Sequence, residues 1–191
     1  MEGGWFMEVA RGDEETGGFS LRETQPELSV SHLHGPATIR AVFAPLLAEH
    51  EQLRSLLRCL VIAQSASARA TIVQTLRDFL LGHDATERAV LYEALRVDAR
   101  TRAAVREATE GHEALEAALG TLAVATLART DEVESHLADF RQRLTVHLLG
   151  EEHRLYPLAL RTLGVEECVR LVARFRDARS ASHGRNLPWA E

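Results

Sequence analysis

The sequence contains no lysine, only two cysteines, Cys59 and Cys168, and few aromatics, 5% of its 191 residues. The lysine gap stands beside 22 arginines and an alanine-rich composition, and reads as a genome signature without mechanistic weight. Two distant cysteines without a C-x-x-C exclude a disulfide framework and a thiolate zinc site, and predict reduced, structural thiols. Proline is missing from Leu46 to Tyr156, 111 residues that also hold only four glycines. A sandwich or barrel, which must turn every ~8–12 residues, is thereby excluded. No run approaches the ~18 apolar residues of a membrane span, and the start Met1-Glu2-Gly3-Gly4-Trp5 lacks the basic and apolar segments of a signal peptide. The expectation is a soluble, cytoplasmic protein that does not meet a membrane. Its net charge of −6, with arginines dispersed among 28 acids, argues against a nucleic-acid partner.

What the chain does have is 28 alanines, 28 leucines, 21 glutamates and nine histidines. The helix formers predict an all-α protein, and 46% apolar residues suffice for a buried core. Residues 1–35 hold six of the twelve glycines and no sustained period, so they read as a loose arm. A first helix is expected from Gly35-Pro36, kinked or restarted at Pro45, to about Gln64; a second over about 70–97; a third over about 100–129. Asp131 with Glu134 resembles a capping arrangement for a fourth helix reaching about Leu163 and bent at Pro157. A short fifth helix is predicted over about 165–179 before a tail ending in Pro188-Trp189. Short links between long helices imply an up-down-up-down four-helix bundle over residues 36–163, followed by a short C-terminal helix and tail over 164–191.

The histidines fall on the apolar stripes. In the first helix Phe43, Leu46, Leu53, Leu57 and Leu60 recur at steps of three and four, and His50 occupies the missing slot. In the second, Ile72, Leu76, Phe79, Val90 and Ala94 leave His83 and Glu87. In the third, Val105, Ala108, Leu115, Leu119 and Leu122 leave His112. In the fourth, Val133, Leu137, Phe140, Leu144, Leu155 and Leu158 leave His147 and Glu151. Burying one such group without a partner costs several kcal/mol, and burying all of them would exceed the ~5–15 kcal/mol stability of a typical domain. They must satisfy one another or something held between them. Imidazoles and carboxylates converging in a bundle core are ligands for borderline transition metals, and a bound ion would turn the liability into folding energy.

An internal repeat points the same way. His50-Glu51-Gln52-Leu53 matches His112-Glu113-Ala114-Leu115, and His83-x3-Glu87-x3-Leu91-Tyr92 matches His147-x3-Glu151-x3-Leu155-Tyr156, at offsets of 62 and 64 residues. Two copies of a helix pair, each giving His, His and Glu, would hold two metal ions bridged by the carboxylates and one shared oxygen. Two octahedral ions need about twelve coordination positions and this set fills about ten, which leaves room for a small ligand.

At these residues the sequence resembles the hemerythrin-like, or HHE cation-binding, four-helix family, over about residues 36–163. Leu155-Tyr156-Pro157 is similar to that family's L-[FY]-P signature. The resemblance implies a non-haem di-iron centre, two iron ions joined by an oxo or hydroxo bridge, that handles dioxygen, peroxide or nitric oxide. Zinc and manganese share the ligand types. Oxygen-carrying hemerythrins have a second histidine where this chain has Glu116, and place the last carboxylate where it has Glu152, so the resemblance is closer to domains of iron or oxygen sensing and bacterial stress responses. Helical geometry favours Glu151, about 40° from His147, over Glu152, about 140° away, unless a π-bulge near Gly150 reverses the order. Glu116 reads as solvated or salt-bridged, and Glu51 and Glu113 lie off the stripe. His136, roughly 16 Å from His147 along the helix, cannot share the cluster. His153 and His183 read as solvated, His32 and His34 as chance neighbours, and Tyr92 and Tyr156 as packing groups on the opposite face. Phe79 and Phe140 are expected to keep the centre dry. Carrier, enzyme and sensor all remain open, as does the oligomeric state.

Overall fold

Among the described residues the helices restart at Pro45 and Gly164, and elsewhere across short links that contain neither proline nor glycine. The computed structural model describes residues 35–128 and 131–185, which form helices and short connections with no strand among them. Helix α1, Pro36–Val42, opens on a proline and stops at Phe43, and α2, Ala44–Ile62, starts again with Pro45 in its first turn. Helix α3, Ala66–Glu87, is capped by Ser65, whose Oγ accepts from the Ala68 amide at 3.1 Å. It continues through a π-helical turn, Arg88–Tyr92, into a last turn, Glu93–Leu95. Asp98 Oδ1 takes the Arg100 amide at 2.8 Å as α4, Ala99–Ala128, begins. Helix α5, Val133–Gly150, runs through a second π-turn, Glu151–Leu155, into α6, Tyr156–Leu163. Gly164 separates α6 from α7, Val165–Arg185. The arm before Gly35, with His32 and His34, and the end from residue 186 lie outside the described residues. No described helix is long and apolar enough to cross a membrane.

Several local expectations are corrected. The fourth helix is not capped by Asp131: Glu132 holds the N-cap position, already helical at φ −83° and ψ −7°, and its side chain makes no cap hydrogen bond. Where a bend is expected at Pro157, the structure has a π-turn at Glu151–Leu155, and Pro157 stands in the first turn of α6. Pro157 has no N–H to return to the preceding turn, and the helix widens ahead of it. The C-terminal helix runs to Arg185 rather than ending near residue 179, and it packs on α3, α6 and the first π-turn. In α3 the stripe centres on Val73, Leu76 and Leu80, with Ile72 and Phe79 only partly buried beside it. An apolar face wider than one row lets the neighbouring helices choose which row lies deepest.

The apolar core is two clusters with the histidines between them. One gathers Leu46, Leu91, Leu95, Val105, Leu155, Tyr156 and Phe175 among others; the second gathers Leu53, Leu57, Leu76, Leu80, Leu115, Leu119 and Phe140 among others. Along α2, α4, and α3 and α5 with their π-turns, the sequence passes from one cluster to the other around its histidine. Leu76 is fully buried in the second cluster, well along α3 from the polar layer. Leu76→Ala should cost about 2–5 kcal/mol in denaturant unfolding, against about 0.5 kcal/mol or less for the exposed Val124→Ala. Equal effects would contradict this placement of the core.

Candidate metal centre

Stripe periodicity brings His50 from α2, His83 from α3, His112 from α4 and His147 from α5 to one level of the bundle. Glu87 ends α3 and Glu151 opens the second π-turn, so both carboxylates reach that level one turn after their histidines. His50, His83, His112 and Glu87 expose nothing, Glu151 1% and His147 8%. The Nε2 atoms point inward. His50 Nε2 is 3.3 Å and His147 Nε2 3.5 Å from Glu151 Oε2, while His83 Nε2 is 3.4 Å and His112 Nε2 3.6 Å from Glu87 Oε2. His112 and His147 bring their Nε2 atoms within 3.0 Å. Two groups result, His50, His83, Glu87 and Glu151, and His112, His147 and Glu151, each with its donor atoms within 4.8 Å of one another and sharing Glu151. The sequence-predicted residues are therefore brought together.

The donor set fits a cation. One oxygen of each glutamate, Oε2, lies at the edge of hydrogen-bonding reach of two imidazoles. His83 Nε2 and Glu151 Oε2 are buried with no hydrogen-bond partner, a cost that a shared ion would remove. On the outer side, three imidazoles lean on carboxylates that are themselves held by arginines. His50 Nδ1 meets Glu152 at 2.7 Å, and Glu152 is gripped by Arg54 at 2.9 and 3.0 Å. His112 Nδ1 meets Asp84 at 2.8 Å, with Arg88 at 2.5 Å from the same oxygen. His83 Nδ1 meets Glu49 at 3.0 Å, held by Arg179. A carboxylate at Nδ1 fixes the tautomer that leaves Nε2 as the donor to a metal.

The same layer resolves where the alternatives lie. Glu152 is turned to His50 Nδ1 and Arg54, outside both donor groups, and Glu116 is exposed, its carboxyl pushed up by partial burial and by the nearby Asp84. Tyr92 and Tyr156 depart from expectation. Their hydroxyls enter the centre: Tyr156 is 3.0 Å from Glu87 Oε1 and 3.1 Å from His50 Nε2, and Tyr92 donates to Glu151 and lies 3.2 Å from Glu87 Oε2. Each follows a glutamate by five residues across a π-turn, where the i→i+5 bonds Arg88–Glu93 and Glu151–Tyr156 widen the helix and rotate the tyrosine inward. An unbroken α-helix would have put both on the far face.

A family model, the hemerythrin HHE cation-binding domain, matches residues 39–159. The chain belongs to the hemerythrin HHE cation-binding family. No curated protein and no solved structure matches it. Within the hemerythrin-like bundle the fourth histidine is distinctive. Among the described residues no carboxylate meets His147 Nδ1; that atom faces Gly111, where a Cβ would come within 2.6 Å. His147 and Glu151 also line a pocket of about 530 Å³ floored by Ala104, Ala108, Gly111 and Val146. His136 lies in the first turns of α5, partly buried and 3.7 Å from Glu132, and His153 is exposed. The His183 side chain lies outside the described residues.

Burial and the neighbouring charges favour protons on two groups of the centre, Glu87 and His50. Burial and the charge of Glu151 push the Glu87 carboxyl up to about 8. Burial works against the His50 imidazolium, but hydrogen bonds to Glu151 and Glu152 outweigh it and carry its pKa up to about 9. Burial depresses His147 to about 4. For Glu87 and His50 the folded state binds the proton more tightly than the unfolded chain, so their contribution is complete at low pH and is lost as pH rises through those values. His147 acts oppositely, but only below its ordinary value of 6.5. Chelator-treated protein should therefore lose thermal stability between pH 7 and 9, while metal affinity rises over that interval as the protons leave. A melting temperature that climbs from pH 7 to 9 would contradict this charge state.

Proposed function

We propose that this hemerythrin-like protein holds two iron ions and binds dioxygen, or a peroxide or nitric-oxide relative, at a carboxylate-bridged centre. His50 and His83 would hold one ion and His112 and His147 the other, with Glu151 and Glu87 between them. The observation that carries the reading is the pair of donor groups that share Glu151, all buried and aimed inward. Imidazole with carboxylate, four to two, suits iron in oxygen chemistry. The alternation of cluster membership supports an up-down-up-down course: Leu46 before His50 and Leu91 after His83 share one cluster, while Leu53 after His50 and Leu80 before His83 share the other.

When bound, the iron pair supplies open positions and exchangeable electrons to a small oxygen or nitrogen species. The chain supplies the surroundings. Fully buried Phe140, Leu115 and Leu155 belong to the apolar clusters either side of the polar layer and exclude bulk water. The pocket against His147 gives the small ligand its way in. Tyr92 and Tyr156 hold hydroxyl protons at the carboxylates, and this favours a second reading, peroxide decomposition, in which a proton must be delivered at the centre.

The test is anaerobic reconstitution with ferrous iron, metal analysis and absorption spectra before and after dioxygen or peroxide. We expect about two irons per chain, a spectrum that changes on exposure, and loss of at least half the metal in His147→Ala. Fewer than one iron per chain, or no response to either oxidant, contradicts the reading. Steady oxygen evolution from peroxide, reduced at least tenfold in Tyr156→Phe, would select the second reading over reversible binding.

A further inference from the structure

Helix α7 lies wholly beyond the family match at residues 39–159, yet it reaches the centre. Arg179, 5% exposed, donates from Nε to both oxygens of Glu49, at 2.8 and 3.0 Å. Glu49 Oε2 in turn stands 3.0 Å from His83 Nδ1. The guanidinium carbon lies 5.1 Å from the centre of the Phe79 ring, and Phe175, one turn earlier on α7, sets its ring against His83 with centroids 5.9 Å apart. Gly82, the residue before His83, leaves the slot open: a Cβ there would collide with the Arg179 guanidinium. The two other His–carboxylate–arginine relays are closed by Arg54 and Arg88, both inside the family match and about one-third exposed. The His83 relay alone among the three is closed from α7, by an arginine that is buried.

We propose that Arg179 is a positioning residue of the metal centre: by fixing Glu49 it holds His83 with Nδ1–H on the carboxylate and Nε2 toward the ion, so that α7 sets the metal affinity of the His83 half. This rests on the metal reading above for its consequence, though not for its geometry. The physical reason is that Glu49 retains 16% of its side-chain surface in contact with solvent. Without the contact to both of its oxygens the carboxylate can turn to water, and the imidazole loses the acceptor that selects its tautomer. Partners of this kind outside the ligands are worth about 10–100-fold in metal affinity.

Two measurements on the full chain test it. Nitrogen NMR of the chelated protein reads the His83 tautomer directly; we expect Nδ1–H in the native chain and a mixture in Arg179→Met. Competition for ferrous iron against a chromogenic chelator should show about 10–100-fold weaker binding in Arg179→Met, similar weakening in Gly82→Ala, and substantial recovery in Arg179→Lys, which keeps a cation for Glu49. Leu171→Ala, buried on the same helix eight residues away, should lower the melting temperature yet leave iron affinity within about twofold. Native tautomer and affinity in Arg179→Met would overturn the proposal. So would equal weakening by Leu171→Ala, which would assign the effect to helix docking. If no version of the chain, native included, binds iron, the metal reading fails and the tautomer measurement still decides the role of Arg179.

Discussion

Everything in this bundle is arranged around one costly act, the burial of four imidazoles and two carboxylates in a single layer between two apolar clusters. The clusters supply the favourable term and the layer the unfavourable one. Hydrogen bonds relieve only part of it. Outward, carboxylates and arginines satisfy three Nδ1 atoms; inward, tyrosine hydroxyls reach both glutamates, but His83 Nε2 and Glu151 Oε2 stay unpaired. A protein interior tolerates such a residue of unmet polarity when something else completes it, and the donor chemistry here suits a bound transition metal.

The two π-turns show how backbone geometry serves the layer. A regular helix can aim a histidine and the glutamate four residues on at one point, but not a third group five residues further. Widening the helix immediately after Glu87 and at Glu151 brings Tyr92 and Tyr156 onto the same face, in both halves of the repeat. The hydroxyls then share the carboxylates with the imidazoles, and burial together with the two glutamate charges holds both phenols protonated, well above their ordinary range.

The six inward positions were legible in the sequence because they obey the simplest rule, a polar residue in an apolar slot of period 3.6. Five helical segments and most of their boundaries followed from the same period and from Pro36 and Pro45, although the structure divides the first and the fourth of them in two. The tyrosines were misplaced because the reading assumed a uniform 100° per residue, although their identical offset from Glu87 and Glu151 was visible as a repeat. Glu49, Asp84 and Arg179 carry no periodic signal: they lie beside the stripe, and whether a flanking charge faces solvent or an imidazole depends on which helix covers it. Arg179 was furthest from reach, since it comes from a helix whose packing only the tertiary structure defines. The one-row shift in α3, from Ile72 and Phe79 to Val73 and Leu80, has the same origin.

The donor chemistry of the layer implies that an ion, rather than a hydrogen-bond network alone, compensates its burial. Thermal unfolding of chelated protein titrated with ferrous iron under anaerobic conditions tests this most directly. The claim predicts a melting temperature that rises with free iron concentration, by mass action on the folded state alone, and a response largely abolished in His83→Ala. Superimposable unfolding curves with and without iron would contradict it.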